Sequence, residues 1–138
     1  MIIADTNIVS EFMRDTPDAT VLTWAESIDP AELAICVVTV QEIERGLGRL
    51  PAGKRRTSLE QSWHQLIEAF RDTVAVYDVP AARATAQILV DAEAGGHPMS
   101  LAEAQIAGIC VSNRATLATR NVRDFDPVGN LHVVNPFG

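Results

Sequence analysis

Met1-Ile2-Ile3-Ala4 is an apolar run that stops abruptly at Asp5-Thr6-Asn7. A short continuous apolar run predicts a buried strand, and its polar end delivers a carboxylate to the edge of the sheet where chemistry occurs in open α/β folds. Ile8 to Met13 then suggests a short helix, capped by Thr6 or Asn7, or by Asp5 itself. Thr16-Pro17-Asp18 reads as the start of a second helix with proline at its first position, and Val21, Leu22, Trp24, Ala25 and Ile28 give it an apolar face. Leu33 to Val38 is another apolar run, of the kind found in strands covered on both faces, and it leads into a helical period over Thr39 to Leu47. Leu59, Trp63, Leu66, Ile67 and Phe70 predict an amphipathic helix from about Lys54 to Arg71, with Trp63 and Phe70 as core or dimer contacts. Thr73 to Val79 is a third strand candidate, Pro80 opens an alanine-rich helix ending at Gly95-Gly96, and Ser100 to Cys110 is again helical. Ala115 to Arg120 and Leu131 to Val134 complete the strands. Strands alternating with helices predict an α/β fold, a parallel sheet between helical layers.

At 138 residues the chain suits one domain, able to bury roughly two-thirds of its unfolded surface. No run approaches a membrane helix and Asp5 interrupts any signal-peptide pattern, so a soluble, cytoplasmic protein is expected. Cys36 and Cys110 lie in apolar settings without the spacing of a disulfide scaffold or metal knuckle. A formal charge of −7 argues against long non-specific nucleic-acid binding while leaving room for a small acidic site. Lys54 is the only lysine, and Lys54-Arg55-Arg56 is the one basic cluster.

Four acids fall at element boundaries: Asp5, Glu42 and Asp124 just past predicted strands, and Glu103 in the first turn of a helix. Crossover connections place parallel strand ends on one edge, so acids distant in sequence can meet. Carboxylates gathered within about 4–6 Å repel by about 1 kcal/mol per pair in water and about 4 at an effective dielectric of 20. Such a cluster persists with a cation or with raised pKa values, and an all-oxygen donor set suits Mg²⁺ or Mn²⁺ rather than zinc. The plainer reading is local: Thr39-x-x-Glu42 and Ser100-x-x-Glu103 both match the capping box, and Asp124 fits an Asx-turn. No His pairs readably with Ser or Asp, and neither a G-x-S-x-G elbow nor a glycine-rich phosphate loop is present.

The opening segment through Asn7, Thr39-x-x-Glu42-Ile43, Glu103-Ala-Gln-Ile-Ala107, Thr119-Arg-Asn-Val-Arg-Asp-Phe125 and the terminal Asn135-Pro-Phe together resemble the PIN-domain proteins. Within that family they look most like the VapC/FitB-type toxins of bacterial toxin–antitoxin pairs, over essentially the full length. The resemblance implies a three-layer α/β/α fold with a central, mainly parallel sheet of four to five strands. It also implies a Mg²⁺- or Mn²⁺-dependent endoribonuclease, a homodimer, and a small VapB-like antitoxin covering the active site. Asp5, Glu42 and Asp124 match family acids, and Asn121 falls where relatives carry Asn or Asp. Glu103 departs from the family's usual Asp, and its extra methylene shifts the carboxylate by over an ångström, a change that octahedral Mg²⁺ resists.

The expected reaction is hydrolysis of RNA, with Asp5 and Glu103 as main metal ligands and Glu42 and Asp124 completing the pocket. Glu42 or Asp124 would take a proton from water, while Thr6 and Asn121 orient the ligands. Arg45, Arg49, Lys54, Arg55 and Arg56 are candidates for phosphate contacts, against the simpler reading of a solvated helix start. The competing class is a PIN-like protein that binds RNA or an antitoxin without cutting, which Glu103 keeps open. A phosphoacceptor receiver domain also places acids at strand ends, but it needs a lysine at a late strand end, and Lys54 is not there.

Overall fold

The computed structural model describes residues 1–138. Five strands form one parallel sheet: β1 Ile2–Ala4, β2 Leu33–Cys36, β3 Val74–Ala75, β4 Thr116–Ala118 and β5 Val133–Val134, in the order β3-β2-β1-β4-β5. Six helices connect them: α1 Thr6–Phe12, α2 Ala19–Glu26, α3 Val37–Arg49, α4 Lys54–Ala69, α5 Val79–Ala94 and α6 Leu101–Ser112. This is the expected α/β architecture with five strands.

Alternation along each strand divides the core. Ile3, Ala34, Cys36 and Leu117 face one side, where they pack with Ala81 and Ile88 of α5 and Ala104, Ala107 and Cys110 of α6. Ala4, Leu33 and Ile35 face the other and meet Ile8, Val9, Val21, Ile43 and Trp63 from the first four helices. Both cysteines are free and buried, and Trp63 belongs to the core as expected. No helix is long and apolar enough to cross a membrane.

Several element ends differ from the sequence reading, each for a local reason. Val37 and Val38 look like strand residues but already wind into α3, so the helix starts directly from β2 with Cys36 at its N-cap. Val79 likewise joins α5, because Asp78 caps that helix by accepting from Ala81 N at 3.0 Å. Pro17 does not open α2; Asp18 caps it by accepting from Thr20 N at 2.8 Å and Val21 N at 3.2 Å.

Strand order reverses direction between β1 and β4: from β1 the chain steps outward to β2 and β3, then returns to the opposite side with β4 and β5. Ligands in open α/β sheets bind at such a switch point, beyond the carboxyl ends of the strands. The register aligns Ala4 with Ala118, so the residues that follow, Asp5 and Thr119, emerge side by side there.

The cover on the first face depends on one close approach. α5 and α6 touch at Gly108, where an added Cβ would fall on Thr85 Oγ1, 2.8 Å from Ala81 O and 3.0 Å from Thr85 N. Thr85 Oγ1 is fixed by bonds to Ala81 O at 2.8 Å and Ala104 O at 3.3 Å, so it has nowhere to retreat. Gly108→Ala is therefore expected to destabilise the fold by about 1–3 kcal/mol, read as a lower denaturant midpoint with an unchanged slope, despite alanine's better helix propensity.

Candidate active site

Asp5 is 7% exposed and occupies the N-cap of α1, so the reading that Thr6 or Asn7 caps this helix is corrected. Its Oδ1 accepts from Thr6 N at 2.8 Å. Its Oδ2 accepts from the Thr119 hydroxyl at 2.7 Å and, more weakly, from Asn7 Nδ2 at 3.4 Å. With its proton given to Asp5, Thr119 Oγ1 accepts from Asn7 Nδ2 at 3.2 Å and Asn121 N at 3.1 Å. Arg120 N donates to Asn7 Oδ1 at 3.2 Å, so the side chains following β1 are stitched to the backbone following β4.

Thr6 reaches the other way. Its hydroxyl donates to Glu42 Oε1 at 2.7 Å and lies 3.1 Å from Thr39 Oγ1. Because that single proton goes to Glu42, Thr39 is the donor to Thr6, which leaves Thr39 to accept from the Cys36 thiol at 3.7 Å. The Thr39-x-x-Glu42 capping box is thus not formed, since α3 begins three residues earlier than the box requires. Glu42 lies well inside the helix, on the stripe that faces Thr6. The Ser100–Glu103 box is formed: Ser100 N donates to Glu103 Oε1 at 3.1 Å and Glu103 N to Ser100 Oγ at 3.2 Å.

Asp5, Thr6, Glu42, Glu103 and Asn121 line one cleft of about 880 Å³. Asp124 does not line it. This acid sits in a short 3₁₀ turn, Val122–Phe125, and faces an adjoining hollow with His97, Arg123 and Asp126, to which Glu103 is the shared wall. Of the five basic candidates, only Arg55 lines the acidic cleft. Arg56 is turned away, bonded to Glu60 at 2.9 Å and to Leu50 O at 3.1 Å. Sequence reasoning missed Thr119, which looks like an ordinary strand residue, and Arg14 and Glu11, which also line the cleft. Glu11 is buried and accepts from Asp18 N at 2.8 Å and Arg14 Nη1 at 3.3 Å, which joins α1 to the start of α2.

Burial is the main force on Asp5 and pushes its carboxyl above the usual 3.8. The bonds from Thr119 and Thr6 pull it down, and the negative charges of Glu42 and Glu103 push it up again. None of these three acids has a salt-bridge partner, so the wall of the cleft is negative and uncompensated. The donor chemistry suits a hard divalent cation. The side chains as they stand are committed elsewhere: no three of the His, Cys, Asp and Glu side chains group closely enough to hold a metal ion. Burial also pushes both thiols up, which disfavours their thiolate forms.

A model of the PIN domain matches residues 2–131. The chain belongs to the PIN domain family. It is 36% identical to plasmid stability protein StbB of Pseudomonas syringae pv. tomato, over 99% of each chain. VapC ribonuclease Y4jK of Sinorhizobium fredii is 33% identical, over 99% of this chain and 98% of that one. Toxin FitB of Neisseria gonorrhoeae is 30% identical over 99% of each. The structure of FitAB bound to IR36 DNA fragment superposes with a TM-score of 0.90 at 29% identity, over 100% of this chain and 96% of that chain. In this PIN domain, as the register shows, the strand-end acid and its threonine partner come from the first and fourth strands.

Because the Asp5 pKa is raised in the fold, the native state binds this proton more tightly than the unfolded chain does. The stability it contributes is therefore full below 3.8 and is lost as pH rises through the elevated native value. In chelator, the unfolding free energy of Asp5→Asn relative to the parent should improve as pH rises from below 4 to 7. A difference independent of pH in denaturant titrations would contradict the elevated carboxyl.

Proposed function

We propose that this PIN-domain protein is the ribonuclease toxin of a VapBC-type pair, hydrolysing RNA phosphodiester bonds at the Asp5 cleft. The observation carrying this reading is Asp5 itself, a nearly buried carboxylate facing Glu42 and Glu103 at the switch point of the sheet. The names of the relatives Y4jK and FitB support a ribonuclease and a toxin. The FitAB and VapBC complexes among its structural neighbours support a small VapB-like antitoxin as partner.

Asp5 and Glu103 would hold Mg²⁺ or Mn²⁺ with help from Glu42, and Asp124 would contribute from the adjoining hollow. When bound, the cation supplies Lewis acidity, acidifying water and offsetting charge that builds on the phosphate. The residues do the rest. Thr119 and Thr6 N hold Asp5 in one orientation, and Thr6 does the same for Glu42. Glu42 shares the cleft with Asp5 and Asp124 does not, which makes Glu42 the better acceptor for the proton of the attacking water. The water oxygen bonds to phosphorus, the bond to O3′ breaks, and O3′ takes a proton from solvent, leaving a 5′-phosphate.

A second reading is favoured by Glu103, whose carboxylate caps its own helix. With that bond kept, the protein would bind RNA or antitoxin and cut poorly.

Asp5→Asn is expected to lower the rate of RNA cleavage at least 100-fold with the circular dichroism spectrum unchanged, and to remove any thermal stabilisation by Mg²⁺ or Mn²⁺. Equal cleavage by parent and variant would end the assignment. Glu103→Asp separates the two readings: a variant at least tenfold faster than a sluggish parent in Mg²⁺, with the gap narrowing in Mn²⁺, identifies a weakened nuclease, whereas a parent as fast as the variant identifies a fully active one.

A further inference from the structure

Gly46 lies in the interior of α3, one turn beyond Glu42, and glycine there is the poorest helix former after proline. Packing does not explain it: a Cβ added at Gly46 meets nothing within 4 Å. The residue lines the acidic cleft, between Glu42 and an apolar stretch formed by Leu47, Leu50 and Leu59. Arg55 stands on the same cleft with no ion pair, whereas Arg56 is committed to Glu60 and Arg14 to Glu11. The cleft is thus acidic at one end, open and apolar past Gly46, and carries one uncommitted guanidinium.

We propose that this stretch is a subsite for an unpaired nucleotide flanking the cleaved bond, with Gly46 keeping it open. The base lies over Gly46 against the leucines and Arg55 holds the next phosphate. This rests on the reading of the cleft as an RNA site. Charge order favours RNA over a peptide: the scissile phosphate belongs at the acids with their cation, the base on apolar ground, and the following phosphate on a free arginine. A base can lie flat on the leucines only when it is splayed out of a stack, so the base that enters is not paired.

The test uses full-length protein carrying Asp5→Asn, so that RNA is not cut and binding reads the contacts beyond the acids, and a fluorescent single-stranded RNA dodecamer with its duplex as control. Gly46→Leu and Arg55→Ala, each added to that background, are expected to weaken single-strand binding at least tenfold, and the duplex to bind at least tenfold more weakly than the single strand. Gly46→Ala in the parent should raise Tm by about 2–4 °C while raising KM for RNA. The proposal is overturned if Gly46→Leu binds RNA as well as its background, if the duplex binds equally, or if Gly46→Ala lowers Tm, which would make the glycine structural. Loss of antitoxin binding by Gly46→Leu with RNA binding intact would assign the stretch to the protein partner instead and overturn the proposal. Parent cleavage is measured alongside: cleavage without dependence on Gly46 sinks the subsite alone, whereas Gly46-dependent binding without cleavage sinks the reaction and supports the subsite.

Discussion

The Thr119 hydroxyl donates to Asp5 Oδ2 at 2.7 Å, and this bond joins the ends of β1 and β4 at the point where strand order reverses. It resolves a conflict that the fold creates. A carboxylate at the end of a central buried strand loses most of its water, and no basic side chain is paired with it. Isolated burial of such a charge is costly, and hydrogen bonds to it are worth about 1.5–3 kcal/mol each. Thr6 N and Thr119 supply two strong ones, which explains why Asp5 can stay in place although its pKa is driven upward. The same bonds fix its orientation before any ligand arrives.

From that anchor the remaining groups follow by relay. Asn7 and Asn121 complete the lone pairs of Thr119, and Arg120 N closes back onto Asn7. On the other side Thr6 hands the arrangement to Glu42 through one proton, with Thr39 and Cys36 behind it. Every buried polar side-chain atom finds a partner. A site built this way is held most closely at Asp5, while at its rim Glu103 is half-buried in the first turn of α6 and Asn121 is exposed ahead of the 3₁₀ turn.

Much of this was legible in the sequence because the strands are short apolar runs and the helices have clear periods. Parallel topology then follows from alternation, and the strand-end position of Asp5 from the abrupt change after Ala4. The unread parts have physical reasons. Val37-Val38 carries β-branched residues, so the start of α3 is hidden, and with it the fact that Glu42 faces Thr6 rather than capping its own helix. Thr119 opens a segment shared with the family, yet its bond to Asp5 is hidden because the partner lies 114 residues upstream and threonine at a strand end is unremarkable. The separation of Asp124 from Asp5 depends on the 3₁₀ turn after Asn121, which neither charge nor periodicity reveals.

Glu103 is the position where a structural and a functional demand meet on one side chain. Its carboxylate reaches back to Ser100 N, an interaction of the capping class worth about 1 kcal/mol. Aspartate, shorter by a methylene, makes that reach less well, so the longer side chain gains a cap. A unit charge pair at about 4 Å is worth about 4 kcal/mol at an effective dielectric of 20, and a divalent ion doubles the attraction. That attraction is gross, and dehydrating the ion and the carboxylate offsets much of it, so cap and cation compete for this side chain. Asp5 and Glu42 already make that region negative, and Glu103 raises the Asp5 pKa by its own charge. A cation relieves all three repulsions at once, whereas the capping bond relieves none of them.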